Sequence, residues 1–246
     1  MAIRPTVALL AATILAAGLL AVLPTAAAAA GPIPTSAVGS DVSWPQCGGS
    51  YPGHGYGFGV AGVTGGRPFT GNPCLSDSFT WARSTAIAPQ VYINLAYGLR
   101  QDGPLSCSAG DTGCQAYNYG YDSAQWARQY AHDQTGGASD STRIWWLDVE
   151  FGNYWSDDTD QNSYVIQGAL DYFQRTAGVT AGIYSTSYMW GQLAGSFAPP
   201  NTPNWIAGAS GLDDYSKCYA PLWQGATVWA VQYLNLDIDL DQNLGC

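Results

Sequence analysis

The sequence is short of positive charge. Eight Lys and Arg stand against eighteen Asp and Glu in 246 residues, with two His, giving a formal net charge of -10. A nucleic-acid binder carries a basic stripe, which eight scattered cations cannot form. Lys217 is the only lysine and Glu150 the only glutamate. That excludes a coiled coil or long-helix protein, which is built on Glu, Lys and Ala in heptads. His54 and His132 could hold zinc only with carboxylate or thiolate partners, and the cysteine spacings do not match a zinc ribbon. No Gly-x-Ser-x-Gly elbow is present, so a Ser-His-Asp hydrolase fits poorly. No metal and no cofactor are expected.

Apolar and aromatic residues are plentiful. The chain is 47% hydrophobic and 13% aromatic, with 10 Trp and 16 Tyr, enough to support a core and exclude general disorder. Residues 1–30 read as a signal peptide. Arg4 precedes an apolar run from Val7 to Leu23, Pro24 follows, and Ala26 to Ala30 offers several A-x-A cleavage registers. An uncleaved anchor is the alternative for so long a run. We expect a secreted, extracellular protein with no membrane attachment after cleavage.

Export suits the six cysteines, Cys47, Cys74, Cys107, Cys114, Cys218 and Cys246, which then read as disulfides. Many pairings are open, and we expect the sequential one. Cys107 and Cys114 bracket a short Gly-containing loop, and Cys218 with Cys246 staples the C-terminus to the body.

Residues 31–246 form a single domain with no internal repeat. Strands are expected at 57–63, 91–97, 144–149, 179–184, 205–209 and 228–234, with a first strand around Asp41. Helices are expected at 77–87, capped by Ser76 or Asp77, at 122–133, and at 160–176. In the last of these, Ile166, Ala169, Leu170 and Phe173 fall at helical spacing. Alternating strands and helices indicate βαβ units and a parallel sheet. The fold class is α/β, an irregular TIM-like β/α barrel, with irregularity in the last third, where helix signals are weak. A doubly wound open sheet is the alternative, but no glycine-rich phosphate loop follows the first strand.

The sharpest local feature is Ile144-Trp145-Trp146-Leu147-Asp148-Val149-Glu150-Phe151. Strand side chains alternate, so Asp148 and Glu150 project to one face with Cα atoms about 6.5 Å apart. Two acids so placed in a partly dry pocket cannot both ionise freely, and one keeps a proton it can donate. Asp41 near the first strand, and the Asp237–Asn243 segment near the end, would meet this centre if a barrel brings first and last strands together. The alternating Asp of that last segment resembles a calcium ladder but lacks the Gly and Glu of an EF-hand loop. Tyr117, Tyr119, Tyr121, Tyr154 and Trp155 sit beside Gly and Asn, and some of them could stack on sugar rings. Trp126 and Trp190 read as core.

The ordered set of Asp41-Val42-Ser43, Leu147 to Glu150, Gly182-Ile183-Tyr184-Ser185, Trp205-Ile206-Ala207, Val231-Gln232-Tyr233 and Ile238 to Asp241 resembles glycoside hydrolase family 25, the lysozyme-type muramidases. The resemblance spans nearly all of the chain after residue 30. It implies an irregular β/α barrel that cleaves the β-1,4 bond between N-acetylmuramic acid and N-acetylglucosamine. It gives Glu150 the general-acid role, Asp148 the stabilising or orienting role, and Asp41 and Asp239 the outer acidic positions. It places Tyr184, Trp205, Gln232 and Tyr97 along the sugar groove. The expected partner is peptidoglycan or a related polysaccharide, bound by a monomer. The family's Lys-Ala-Thr-Glu-Gly segment is absent, with Val63 to Arg67 in its region. Its Tyr-His-Phe is replaced by Val91-Tyr92-Ile93-Asn94, and the Cys107–Tyr121 stretch is extra. A silent carbohydrate-binding module and an exported interaction domain are the other two readings. Cell walls are often anionic, so an acidic protein should gain nothing from steering, and its binding should depend weakly on salt.

Overall fold

The computed structural model describes Met1 and residues 31–53, 55–235 and 240–246. The expected signal peptide therefore lies almost wholly outside the described residues, as do His54 and Asp239. Eight strands close into a barrel in chain order: β1 Val38–Val42, β2 Phe58–Gly62, β3 Gln90–Asn94, β4 Ile144–Asp148, β5 Thr180–Ser185, β6 Asn204–Ala207, β7 Val228–Asn235 and β8 Leu240–Gly245. The first seven run parallel. β8 is antiparallel to both β7 and β1 and completes the closure. The expected barrel is therefore observed, with its irregularity at the end of the chain. Between β6 and β7 the connection carries only a short 3-10 turn, Tyr215–Tyr219, and the β6–β7 register shifts at Asn204/Trp205.

Strand alternation sorts residues into two layers. On the outer side, Val91, Ile93, Trp145, Leu147, Ala181 and Ile183 pack against the helices. On the inner side, Phe58, Val60, Trp146, Trp205 and Ala230 fill the lumen, with Tyr92, Tyr184 and Trp229 against them. Trp145 and Trp146 show the sorting directly. Trp145 stacks on Phe173 at 4.7 Å, whereas Trp146 lies 5.7 Å from Trp205 and donates to Gln90 Oε1 at 2.7 Å. Each fully buried indole contributes roughly 4–6 kcal/mol by area, as an upper bound.

Three main helices cover the barrel: α1 Leu75–Arg83, α2 Thr112–Thr135 and α3 Thr159–Asp171, the last continuing as a π-turn over Tyr172–Thr176. A short α4, Ser187–Leu193, follows β5. α1 begins just after Cys74, ahead of the expected cap, and Asp77 sits in its first turn. α2 starts ten residues earlier than expected, at a true cap: Asp111 accepts from the Cys114 backbone N–H at 3.1 Å. Much of the stretch read as an extra loop is therefore helix. Its weak helical signal has a packing reason. A Cβ on Gly120 would fall 1.9 Å from the Val165 carbonyl oxygen, and one on Gly168 would fall 2.0 Å from that of Tyr117. Two glycines thus let α2 and α3 pack backbone to backbone.

Cys47–Cys74, Cys107–Cys114 and Cys218–Cys246 are bonded, the sequential pairing. Trp190 is core, and Trp126 packs on its edge.

Candidate active site

The acidic centre forms where the strands end. β4 finishes at Asp148, and Glu150 follows two residues later on the same side. Both line a cavity of about 100 Å³ with Asp41, Tyr92, Tyr184, Trp205, Gln232 and Asp241. Four carboxylates therefore converge, and no Lys or Arg is among the lining residues. The neighbouring carbonyls are anchored from behind. Trp155, itself buried, donates its indole N–H to the Glu150 carbonyl at 2.7 Å, and the Ser185 hydroxyl donates to that of Val149 at 2.7 Å.

Asp41 and Asp241 face each other as register partners of β1 and β8. Asp41 Oδ1 accepts from Asn243 Nδ2 at 2.8 Å and from Gln232 Nε2 at 3.1 Å. Asn243 is in turn fixed by Trp205, whose Nε1 donates to Asn243 Oδ1 at 2.8 Å. Burial raises the Asp41 carboxyl to about 8, the Asp241 charge adds to this, and the two amide donors oppose it.

Asp148 accepts a very short hydrogen bond from Asn94 Nδ2 on the neighbouring strand. Burial pushes its carboxyl well above the usual range, the Glu150 charge pushes it further, and the Asn94 amide pulls it back. Glu150 is also raised, by burial first, with the Tyr184 hydroxyl in hydrogen-bond contact with it opposing. Tyr184 donates to Gln232 Oε1 at 2.5 Å. Two raised carboxyls side by side hold a proton to higher pH than free carboxylic acids do, the first requirement for general-acid chemistry.

The structure thus gathers Glu150, Asp148, Asp41, Tyr184, Trp205 and Gln232 around one cavity. Asp239 lies outside the described residues, and Asp241 supplies the carboxylate seen opposite Asp41. Tyr97 does not line the cavity; it lies beside Tyr154, with ring centroids 6.1 Å apart, in the loops beyond β3 and β4. Tyr117 and Tyr121 are taken up by the α2–α3 face, where they bond Asp171 at 3.0 Å and Thr176 at 2.9 Å. Sequence reasoning missed Tyr92, Asn94 and Asn243. The signal for two of them was present, since Gln90, Tyr92 and Asn94 are polar at every second position of a strand and so face the lumen. A larger cavity of about 440 Å³ lies at the N-terminal ends of β6 and β7, but no residue lining it is titratable.

A closed β/α barrel with an acidic cavity at its C-terminal face defines the class, and comparison with known proteins narrows the fold. No family model matches the chain. A curated relative, a probable GH family 25 lysozyme of Dictyostelium discoideum, is 34% identical over 73 residues; this stretch is 29% of this chain and 34% of the relative. The chain thus aligns with about a third of the length of that curated relative. The bacterial lysozyme of Streptomyces coelicolor superposes with a TM-score of 0.51 at 18% identity, covering 86% of this chain and 92% of that one. The muramidase of Trichobolus zukalii gives 0.54 at 19% identity, covering 85% and 93%. The spore cortex lytic enzyme SleM of Clostridium perfringens gives 0.58 at 13% identity, covering 88% and 68%. The fold is the one found in family 25 lysozymes, and the resemblance read from the ordered motifs is borne out.

Proposed function

We propose that the chain is a secreted glycoside hydrolase of the muramidase type, acting on β-1,4 bonds of peptidoglycan. The observation that carries this reading is the pair Asp148 and Glu150 in one cavity at the end of β4, on a fold shared with lysozymes and muramidases. Glu150 is the general acid. It gives its proton to the glycosidic oxygen as the bond from the sugar's anomeric carbon to that oxygen breaks, and Asp148 stabilises the positive charge that develops on the sugar. Asp41 and Asp241 hold the negative field on the opposite wall. The cavity is only a few water volumes in size, at about 30 Å³ each. It takes the scissile region, and the remaining sugar units lie across the mouth, with Tyr184 and Trp205 as the aromatic surfaces nearest the chemistry.

The test is product analysis. Wild type should release reducing ends from purified peptidoglycan, and Glu150→Gln should lower the rate at least about 1,000-fold, since the residual rate then rests on binding and electrostatics alone. Wall pulldown without reducing ends from wild type would instead support a silent binding module on the same barrel. Among the described residues no helix is long and apolar enough to cross a membrane.

A further inference from the structure

Burial, and the hydrogen bond between the two carboxyls, would leave the shared proton on Asp148. That carboxyl is only 7% exposed, whereas Glu150 is only partly buried. The donor fixed behind Asp148 points the other way. Thr64, 2% exposed, accepts from the Asn94 backbone N–H at 3.0 Å, so its hydroxyl proton needs another acceptor. Asn94 Oδ1, at 2.6 Å, is that acceptor. Turning the Asn94 amide over would orphan the buried Thr64 proton, which buried hydroxyls rarely tolerate. The Asn94 Nδ2 donor is therefore aimed at Asp148 Oδ2, which must stay an unprotonated acceptor, and the donor favours the anionic carboxylate.

The opposite wall is fixed in the same manner. Trp205 Nε1 can only donate, so Asn243 presents its oxygen to Trp205 and its Nδ2 to Asp41 Oδ1. Asp41 Oδ1 then serves as an acceptor, and Gln232 turns its Nε2 toward it and its Oε1 toward Tyr184. The single Tyr184 proton is committed to Gln232. Contact with the same hydroxyl lowers the Glu150 carboxyl, so this wall adds nothing to its hold on a proton, and the ordering rests on the Asn94 side. We infer that Asn94, its amide fixed by Thr64, is a positioning residue that holds Asp148 anionic and so leaves the proton shared by the two central carboxyls on Glu150. The inference rests on the reading of Glu150 as general acid and supplies the physical reason for it. The titratable groups facing Glu150 are Asp41 from β1, Tyr92 from β3, Asp148 from β4, Tyr184 from β5 and Asp241 from β8.

Glu150 is the only glutamate, so carbon-13 labelling of glutamate side-chain carboxyls gives one NMR signal that reports this group alone. In the wild-type full chain that signal should move mainly in the upper of the pair's two titration steps. In Asn94→Leu, and in Thr64→Val should the first variant fold poorly, Asp148 loses its oriented donor and takes the proton. The Glu150 signal should then move mainly in the lower step, its midpoint falling by about one pH unit or more. Thr64→Ser, which keeps the hydroxyl, should restore the wild-type order. The alkaline limb of the kcat/KM profile should follow the NMR midpoint in each variant. A wild-type Glu150 signal confined to the lower step overturns the inference, as does an unchanged order in folded Asn94→Leu or Thr64→Val. Neither result depends on activity. Failure to release reducing ends despite the expected titration order would overturn the muramidase reading and leave the proton placement standing.

Discussion

The Tyr184 hydroxyl and the Gln232 amide oxygen, 2.5 Å apart, join two strands that are not neighbours. Tyr184 stands on β5 and Gln232 on β7, and the intervening β6 contributes Trp205, whose ring lies 4.5 Å from that of Tyr184. One hydrogen bond therefore ties two strands across a third at the height of the cavity. Tyr184→Phe keeps the ring and its packing but leaves a buried amide oxygen short of a donor. It should cost about 1–3 kcal/mol of stability, measured by denaturant melts. Its kcat/KM on peptidoglycan should fall about 10- to 100-fold. Wild-type stability and rate in Tyr184→Phe would show that this bond matters to neither.

Acidity at Asp41 makes stability depend on pH. Burial first, and then the Asp241 charge, push its folded-state carboxyl up to about 8 from an ordinary 3.8. Between these values the folded chain holds a proton that the unfolded chain has released. Stability should therefore be greatest near the acid end of this window and decline as pH rises, by at most ~1.4 kcal/mol per pH unit, levelling off above about 8. Asp41→Asn retains an oxygen for Asn243 and Gln232 and should flatten much of the slope. Thermal melts at a series of pH values check this, and a melting temperature that climbs from pH 5 to pH 8 would contradict it.

The α2–α3 contact should be intolerant of a single methyl. Gly120→Ala must separate the helices or displace the Val165 carbonyl. We expect a loss of about 3 kcal/mol, the upper end of the usual range for overpacking, because the obstacle is backbone. Gly191→Ala is the control, since a Cβ there meets nothing within 4 Å. Equal denaturant midpoints for the two variants would remove the packing argument.

The disulfides should differ in worth according to the chain they close. Cys47–Cys74 and Cys218–Cys246 span 27 and 28 residues, and Cys107–Cys114 spans 7. Chain entropy gives about 3.5 kcal/mol for either long closure and about 2.4 kcal/mol for the short one. Paired Cys→Ser variants, one disulfide at a time, should rank in that order in guanidinium melts.

The barrel was legible because its strands are apolar runs separated by helical patterns, and Asp148 and Glu150 because an alternating acidic pair closes such a run. Helix α2 was half hidden. Gly113, Asn118 and Gly120 lower helix propensity, and the compensation comes from α3, far away in sequence. Choosing among Asp237, Asp239 and Asp241 needed the β1–β8 register, because alternation gives all three the same parity. Asn94 and Asn243 carry no charge to draw attention. Their role appears only once Thr64 and Trp205 are seen to fix which way each amide points.

Beneath the four carboxylates the lumen is closed by Trp146, Trp205, Trp229 and Phe58, with Val60 and Ile144 among them. Aromatic side chains thus fill the lumen on the side away from the cavity, and the carboxylates are reached from the mouth, where the proposed glycan would lie. A chain bound there covers the whole acidic centre, so the next one can be taken only after the product has left.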